Sequence, residues 1–282
     1  MDRFRDFFVR FALLLSLAVP AYFLVAAFGS KFGLLDWRIG FGLMTYMWGR
    51  YVLFGALVIA LIALPLAFFT PPRRGVMSAL LALLIPAAGL GYGIYVGAKA
   101  REIPPIHDIS TDMIDPPAFS EEVAAVRAAI PGGNSLDLAS KRTSDGRTFV
   151  ALQREAYPDL EHISTSVDRA RAYEAALALA REQGWAIGRN DAASGAIEAV
   201  AESFWYGFKD DIAIRVRADG SGARVDMRSV SRVGMGDLGA NAARMGPFLA
   251  ALRERLEAID AGPAPAPERE GAAAPEPDAP PP

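Results

Sequence analysis

The chain has 282 residues, 52% of them hydrophobic, with mean hydropathy +0.22, no cysteine and a formal net charge of −3. A soluble domain of this length needs less apolar residue, so composition points to a membrane, and the missing cysteines exclude a disulfide framework, a thiolate nucleophile and a cysteine metal site. The charge is not basic enough for a nucleic-acid partner, and it divides along the chain: residues 1–98 carry a net +5, 99–260 a net −5 and 261–282 a net −3.

Three uncharged stretches, Phe11–Ser30, Tyr51–Thr70 and Gly75–Ala98, each match the ~20 residues a helix needs to cross ~30 Å of hydrocarbon. Each holds one proline (Pro20, Pro65, Pro86), which membrane helices tolerate. Arg3, Arg5 and Arg10 before the first run imitate a signal peptide, but the run is longer than such a segment's apolar core and reads as an uncleaved span. Residues 1–98 therefore form a three-span region in contact with the lipid bilayer. Lys31–Arg50 is an interfacial segment, because Trp37, Tyr46 and Trp48 mark headgroup level. Gly89, Gly93 and Gly97, four apart on the third span, form a close-packing face, read as packing within the bundle in preference to homodimerisation. No ionisable residue lies within a span, which argues against an ion or proton pathway. Lysines and arginines flank the two sides equally. Orientation therefore rests on the more basic N-terminal flank: N-terminus cytoplasmic, large domain periplasmic, in a bacterial inner membrane.

Residues 99–147 read as a Pro-rich linker with a short helix over 120–129, capped by Ser120 and carrying Glu121 and Glu122 in its first turn. Residues 148–260 read as one α+β domain. Thr148–Glu155 is a predicted strand. A capping box from Thr165 to Asp168 opens a helix that Gly184 closes. Four strands follow, near 185–188, 196–203, 211–217 and 224–231, the last two joined by a hairpin turn at Asp219–Gly222. A final helix spans 237–260, with a kink or break expected at Gly246–Pro247. The order is β-α-β-β-β-β-α, an antiparallel sheet with its helices packed on one face. The Pro/Ala-rich acidic tail 261–282 cannot build a core and reads as disordered.

Two polar clusters invite chemistry. His107, Asp108, Ser110 and Asp112 place an imidazole, carboxylates and a hydroxyl within six residues, fit for general acid–base work, although such residues beside prolines are also ordinary turn formers. Arg228, Val230 and Arg232 share one strand face with Arg215 and Arg217 beside them. That patch either binds an anion or is neutralised by acids of its own domain, and the net acidity favours the second. Gly234-Met-Gly-Asp-Leu-Gly239 matches a dinucleotide fingerprint but lacks the βαβ unit that must follow it, so Asp237 is read as a helix cap and no nucleotide partner is expected. No pattern calls for a metal or other cofactor.

Several of these pieces occur together elsewhere. Ile103-Pro-Pro-Ile-His-Asp-Ile-Ser-Thr-Asp112 with Asp115-Pro-Pro-Ala-Phe119, Tyr157-Pro158-Asp159, and Arg228-Ser-Val-Ser-Arg-Val-Gly234 with Asp237-Leu-Gly239 and Asn241 resemble the domain of unknown function 1499 family over residues 101–258. Proteobacterial members are similar in placing the domain after several membrane spans, whereas other members carry cysteines in the N-terminal motif, which this chain lacks. The family has no established activity, ligand or catalytic residue. What the resemblance implies is that the His107–Asp112 and Arg228–Asn241 segments belong to one domain and can meet in space.

The expected function is a non-enzymatic inner-membrane protein whose α+β domain binds a partner or small ligand in the cell envelope. In that reading Ser110, Arg228, Arg232, Asp237 and Asn241 are the candidate ligand-binding residues. Two alternatives stand beside it: an accessory subunit docking through its transmembrane helices, and an envelope enzyme using His107, Asp108 and Asp112 as catalytic residues with Arg228 or Arg232 holding an anion.

Overall fold

A computed structural model describes residues 2–262. Helices α1 (Asp2–Lys31), α2 (Gly49–Phe69) and α3 (Val76–Glu102) form an antiparallel bundle, each long and apolar enough to cross a membrane. Alanines line its seams: Ala12, Ala60, Ala63, Ala67, Ala79 and Ala82 are buried together, which lets the backbones approach closely. Ser16 Oγ donates to the Ala82 carbonyl at 2.7 Å across the α1–α3 seam. Buried Arg5 donates to the carbonyls of Thr70 and Pro72, satisfying acceptors that the end of α2 leaves open. The prolines at 20, 65 and 86 sit inside continuous helices.

The segment expected to lie along the interface is largely helical. Arg38–Trp48 is a π-helix that runs directly into α2, so that Arg38–Phe69 is one 32-residue apolar rod. It packs on the last turns of α1, where the Tyr22 hydroxyl donates to the Met44 carbonyl at 2.9 Å. Of the aromatics that suggested an interfacial segment, Trp37 packs edge-on against Phe208, while Tyr46 and Trp48 are exposed.

The rest of the described chain folds around a six-stranded antiparallel sheet: β1 (Asp108–Ser110), β2 (Ile163–Thr165), β3 (Ala186–Asp191), β4 (Ala196–Glu202), β5 (Lys209–Asp219) and β6 (Gly222–Ser231), with spatial order β1-β6-β5-β4-β3. β3 to β6 form a meander. β1 and β2 pair with different ends of β6, Asp108 opposite Val230 and Ile163 opposite Val225. Where β2 leaves the sheet, a Cβ at Gly222 would lie 1.9 Å from the Thr165 carbonyl oxygen, so only glycine fits.

Helices α6 (Arg169–Glu182) and α7 (Ala240–Asp260) cover one sheet face. Ile197, Ile212, Ile214, Val225 and Met227 point into this layer and meet Ala172, Ala176, Met245, Phe248, Leu252 and Leu256. The period-2 and period-3.6 apolar patterns that predicted the elements are the residues buried here.

Three local expectations need correcting. Thr148–Glu155 is not a strand but helix α5 (Phe149–Ala156). Thr148 caps it by accepting from Ala151 N–H at 3.1 Å, and the buried residues Phe149, Leu152 and Gln153 follow helical spacing. The first strand of the predicted order is β2 instead. Asp168, not Thr165, is the N-cap of α6, accepting from the N–H groups of Ala170 and Arg171 at 3.0 Å each. α7 runs unbroken through Pro247. The short helix expected over 120–129 is present as α4 (Glu121–Ala128) with Ser120 as its N-cap, and the stretch read as a linker adds β1 and lies over the second face of the sheet. Most of the tail expected to be disordered lies outside the described residues.

Candidate functional site: an ionic sheet face and an apolar groove

The second sheet face carries what the alternation of β5 and β6 leaves pointing away from the helices: Asp211, Arg215 and Arg217 on one strand, Arg224, Asp226 and Arg228 on the other. Residues 108–147 cover it and supply the remaining charges. Asp108 is fully buried and takes a two-pronged contact from Arg228, Nε to Oδ1 at 3.0 Å and Nη2 to Oδ2 at 2.8 Å, while Lys141 Nζ reaches Oδ2 at 2.5 Å. Burial alone would push this carboxyl up. The Arg228 hydrogen bonds and charge, helped by Lys141, outweigh it and hold the group below the usual carboxylate range. Asp211 is likewise clamped by Arg127 at 2.6 Å and by Arg232 at 2.7 Å. A third cluster gathers Arg215, Arg217 and Arg224 around Asp226, with Asp112 joining through Arg224 at 2.9 Å and Asp115 through Arg215 at 3.0 Å. Asp112 is held low in pKa against its own partial burial by the N–H groups of Asp115 and Ile114 and by Arg224. Each of these arginines is thus paired with an acid of its own domain, although Asp108 and Asp211 are each shared between two cations.

The other candidate residues tie segments together. Ser110 N–H donates to Gln153 Oε1 and the Ser110 carbonyl accepts from Gln153 Nε2 at 2.7 Å, so an α5 side chain satisfies the edge of β1 that β6 leaves open. Asn241, fully buried, accepts from Ser229 Oγ at 2.6 Å and donates to Ser231 Oγ at 3.0 Å and the His107 carbonyl at 3.3 Å. It fixes α7 to β6 and to the residue that leads into β1. Asp237 accepts from the N–H groups of Gly239 and Asn241 at the start of α7; burial raises its pKa. His107 stacks edge-on against Phe149 with ring centroids 4.9 Å apart, and its Nδ1 is buried without a partner. Burial, then the nearby Lys141 charge, lowers its pKa to about 4, so the ring is neutral at pH 7. Among the described residues no three His, Asp or Glu side chains gather to hold a metal ion.

The covering segment closes off His107, Asp108, Ser110 and Arg228, whereas in the third cluster Arg217 stays partly exposed and Asp115 exposed, paired with each other. The open concavity lies elsewhere. A groove of about 530 Å³ runs between the Ala156–Leu160 turn after α5 and the Leu238–Ala243 start of α7, with Ile103 at its end. Its walls are apolar: Ile103, Tyr157, Pro158, Leu160, Leu238 and Ala242, with Asp159 at the margin. The Tyr157 hydroxyl is raised in pKa by burial and by Asp237. Leu238, at the groove lip, has φ 53°, a conformation L-residues avoid, and Gly239 beside it has φ 81°. A second groove of about 450 Å³, between α6 and the end of α7, is bordered by Arg169, Arg171 and Arg255, each engaged elsewhere: with the Val216 carbonyl, Asp168 and Glu182.

Sequence reading singled out Asp108 and Arg228, Asp112, Ser110 and Asn241, and the fold brings them to one region around β1 and β6. It does not bring Arg232 to Asp108, since Arg232 serves Asp211. Lys141, Arg127 and Gln153 escaped notice because each sits alone in its segment. Their partners are 33, 84 and 43 positions away. The one available signal was the charge alternation of β6, which demands acids from another segment if that face is buried. In the bundle, Gly89 lies against Leu53 of α2, 2.4 Å from where a Cβ would be, while Gly93 and Gly97 meet no atom within 4 Å.

Among curated proteins nothing matches the chain. A family model described as a protein of unknown function, DUF1499, matches residues 108–252. The match starts at β1 and ends within α7, so it encloses the sheet, its ionic face and most of the groove, and excludes the membrane bundle. The chain belongs to the DUF1499 family.

Proposed function

We propose that this is a non-enzymatic binding protein of the bacterial cell envelope, held in the inner membrane by α1–α3, whose α+β domain takes an apolar small ligand or partner segment in the groove beside Tyr157 and Leu238. The groove carries the reading: it is open and apolar, and it is built from two segments that occur in the family signature, Tyr157-Pro158-Asp159 and Asp237-Leu238-Gly239. The enzyme alternative fares worse, since Asp108 and Arg228, its central pair, are buried and mutually neutralised. Ser110, Arg232, Asp237 and Asn241 then act as the frame of the site and do not touch a ligand. The N-terminus is cytoplasmic and the domain periplasmic, on the strength of the basic N-terminal flank.

Purifying the full chain from native membranes, with mass spectrometry of what accompanies it, tests the proposal. Ala243→Trp fills the groove from an exposed position on α7. A lipid, small molecule or protein recovered with the wild type and lost with Ala243→Trp supports the reading. Identical recovery from both chains contradicts it.

One observation favours a second reading, docking of the bundle to another membrane protein. Gly93 and Gly97 face open space and Tyr92, Ile94 and Tyr95 around them are exposed. Crosslinking in native membranes after Gly93→Leu decides: unchanged partner recovery sinks it.

A further inference from the structure

The turn between β4 and β5 is Ser203-Phe-Trp-Tyr-Gly-Phe208, and its aromatic side chains do not fold back on their own domain. Phe204 and Trp205 pack on Phe28, near the end of α1, with centroids 6.1 and 5.6 Å away. Lys31, the last residue of α1, donates to the Phe204 carbonyl at 3.0 Å and lies over the Phe204 ring. Deeper in the turn, Tyr206 and Phe208 close on Phe41 of the π-helical segment, and the Tyr206 hydroxyl is 2.6 Å from Thr45 Oγ1. Tyr206 has φ 63°, a strained backbone that turns its ring toward the bundle. The tip therefore stands level with the end of the first span. There Phe204 and Trp205 are still 65% and 52% exposed.

A second apolar point lies at the same end of the sheet. Arg232 N–H donates to the Lys209 carbonyl, so the loop leaving β6 begins beside the aromatic turn. This loop then meets the chain as it leaves α3, with Asp237 N–H on the Ile106 carbonyl. Met235 is 91% exposed and Leu238 56%. Leu238 shares the groove wall with Ile103, five residues past the third apolar run and so ~7.5 Å above it at a helical rise. That is headgroup depth, where aromatics and apolar side chains of interfacial proteins settle.

We propose that this edge of the domain inserts into the lipid interface at two points, Phe204–Trp205 and Met235–Leu238, and holds the sheet on edge against the membrane. The occupant of the edge is the boundary between headgroups and acyl chains, because both points continue surfaces that the span ends already place there. Leu238 is shared with the proposed binding groove; the Phe204–Trp205 point and Met235 lie outside it and carry the inference whatever the groove binds.

The chain contains no cysteine, so Trp205→Cys, Met235→Cys and Leu238→Cys each carry a single site for a nitroxide label, and Ser221→Cys in the β5–β6 turn at the far end of the sheet serves as reference. The labelled full-length chains are reconstituted in phosphatidylcholine–phosphatidylglycerol vesicles, and collision with dissolved oxygen is compared with collision with a water-soluble nickel chelate. Insertion predicts high oxygen and several-fold lower nickel collision at 205, 235 and 238 than at 221. Nickel access equal to that at 221 overturns the proposal, and so does low collision with both reagents, which would mean burial against protein.

Discussion

The two faces of the one sheet are held by opposite means. On the helix side, Ile212, Ile214, Val225 and Met227 meet Phe248, Leu252 and Leu256, and the contact is non-directional apolar burial. On the other side Asp108, Asp211 and Asp226 are each fully or almost fully buried and each held by two or more cations. Removing an ion from water costs several kcal/mol, and only close partners and hydrogen bonds offset it. Such a face therefore gains little net stability, yet it tolerates few alternatives. The dense polar motif from His107 to Asp115 is thus a covering segment held in register by charge. Asp108 and Asp112 in it are engaged in holding that segment down, while His107 Nδ1 is buried without a partner.

The comparison can be broken most forcefully at Asp108. Asp108→Asn leaves Arg228 and Lys141 buried without their counter-ion and should cost about 3–5 kcal/mol, read as a fall in thermal midpoint of the detergent-solubilised chain. Replacing all three by apolar residues of similar volume should recover most of that loss; a triple variant as unstable as Asp108→Asn would show that the pair contributes more than its own neutralisation. On the opposite face, Leu252→Ala should cost about 2–5 kcal/mol through lost burial and a cavity. Its cost should not vary with pH between 7 and 4.5.

The ionic face should vary. His107 has a folded pKa of about 4 against an ordinary value of 6.5, so the unfolded chain takes up a proton first as pH falls. Stability is then complete above pH 6.5 and declines down to about pH 4, by an amount on the order of 3 kcal/mol. His107→Phe should flatten that interval; an unchanged slope would assign it to other groups. The depressed carboxyls of Asp108 and Asp112 act later, stabilising above their ordinary 3.8 and losing that contribution as pH falls through their lower folded values. At the small end, Arg147 and Glu155 form an exposed pair, and Glu155→Gln should leave the midpoint unchanged.

Legibility in the sequence followed the same division. The helix-side face was readable because its apolar spacing is local: β3 to β6, α6 and α7 were all foreseen within a few residues. So were the three long apolar helices, whose signal is length and charge depletion, although α1 begins well ahead of Phe11. The ionic face was readable only as fragments. β1 has three residues and no propensity signal, and it exists because Asp108 finds Arg228 120 positions later. Prolines at 104, 105, 116 and 117 made the same stretch look like a linker, when they shape a segment that lies along the sheet. At Thr148–Glu155, Phe149 and Val150 suit a strand, but the cap at Thr148 and the Gln153–Ser110 contact decide for a helix. The groove had no signal beyond its turn, since its walls come from segments 80 residues apart.

In the proposed function the groove binds and the ionic lid is frame. The most direct measurement is recovery of co-purifying material from native membranes for three chains in parallel: wild type, Ala243→Trp and Asp112→Asn, the last altering the lid at its partly exposed margin. The account predicts that Ala243→Trp alone loses the bound species. Loss with Asp112→Asn and retention with Ala243→Trp would contradict it and return the function to the charged cluster.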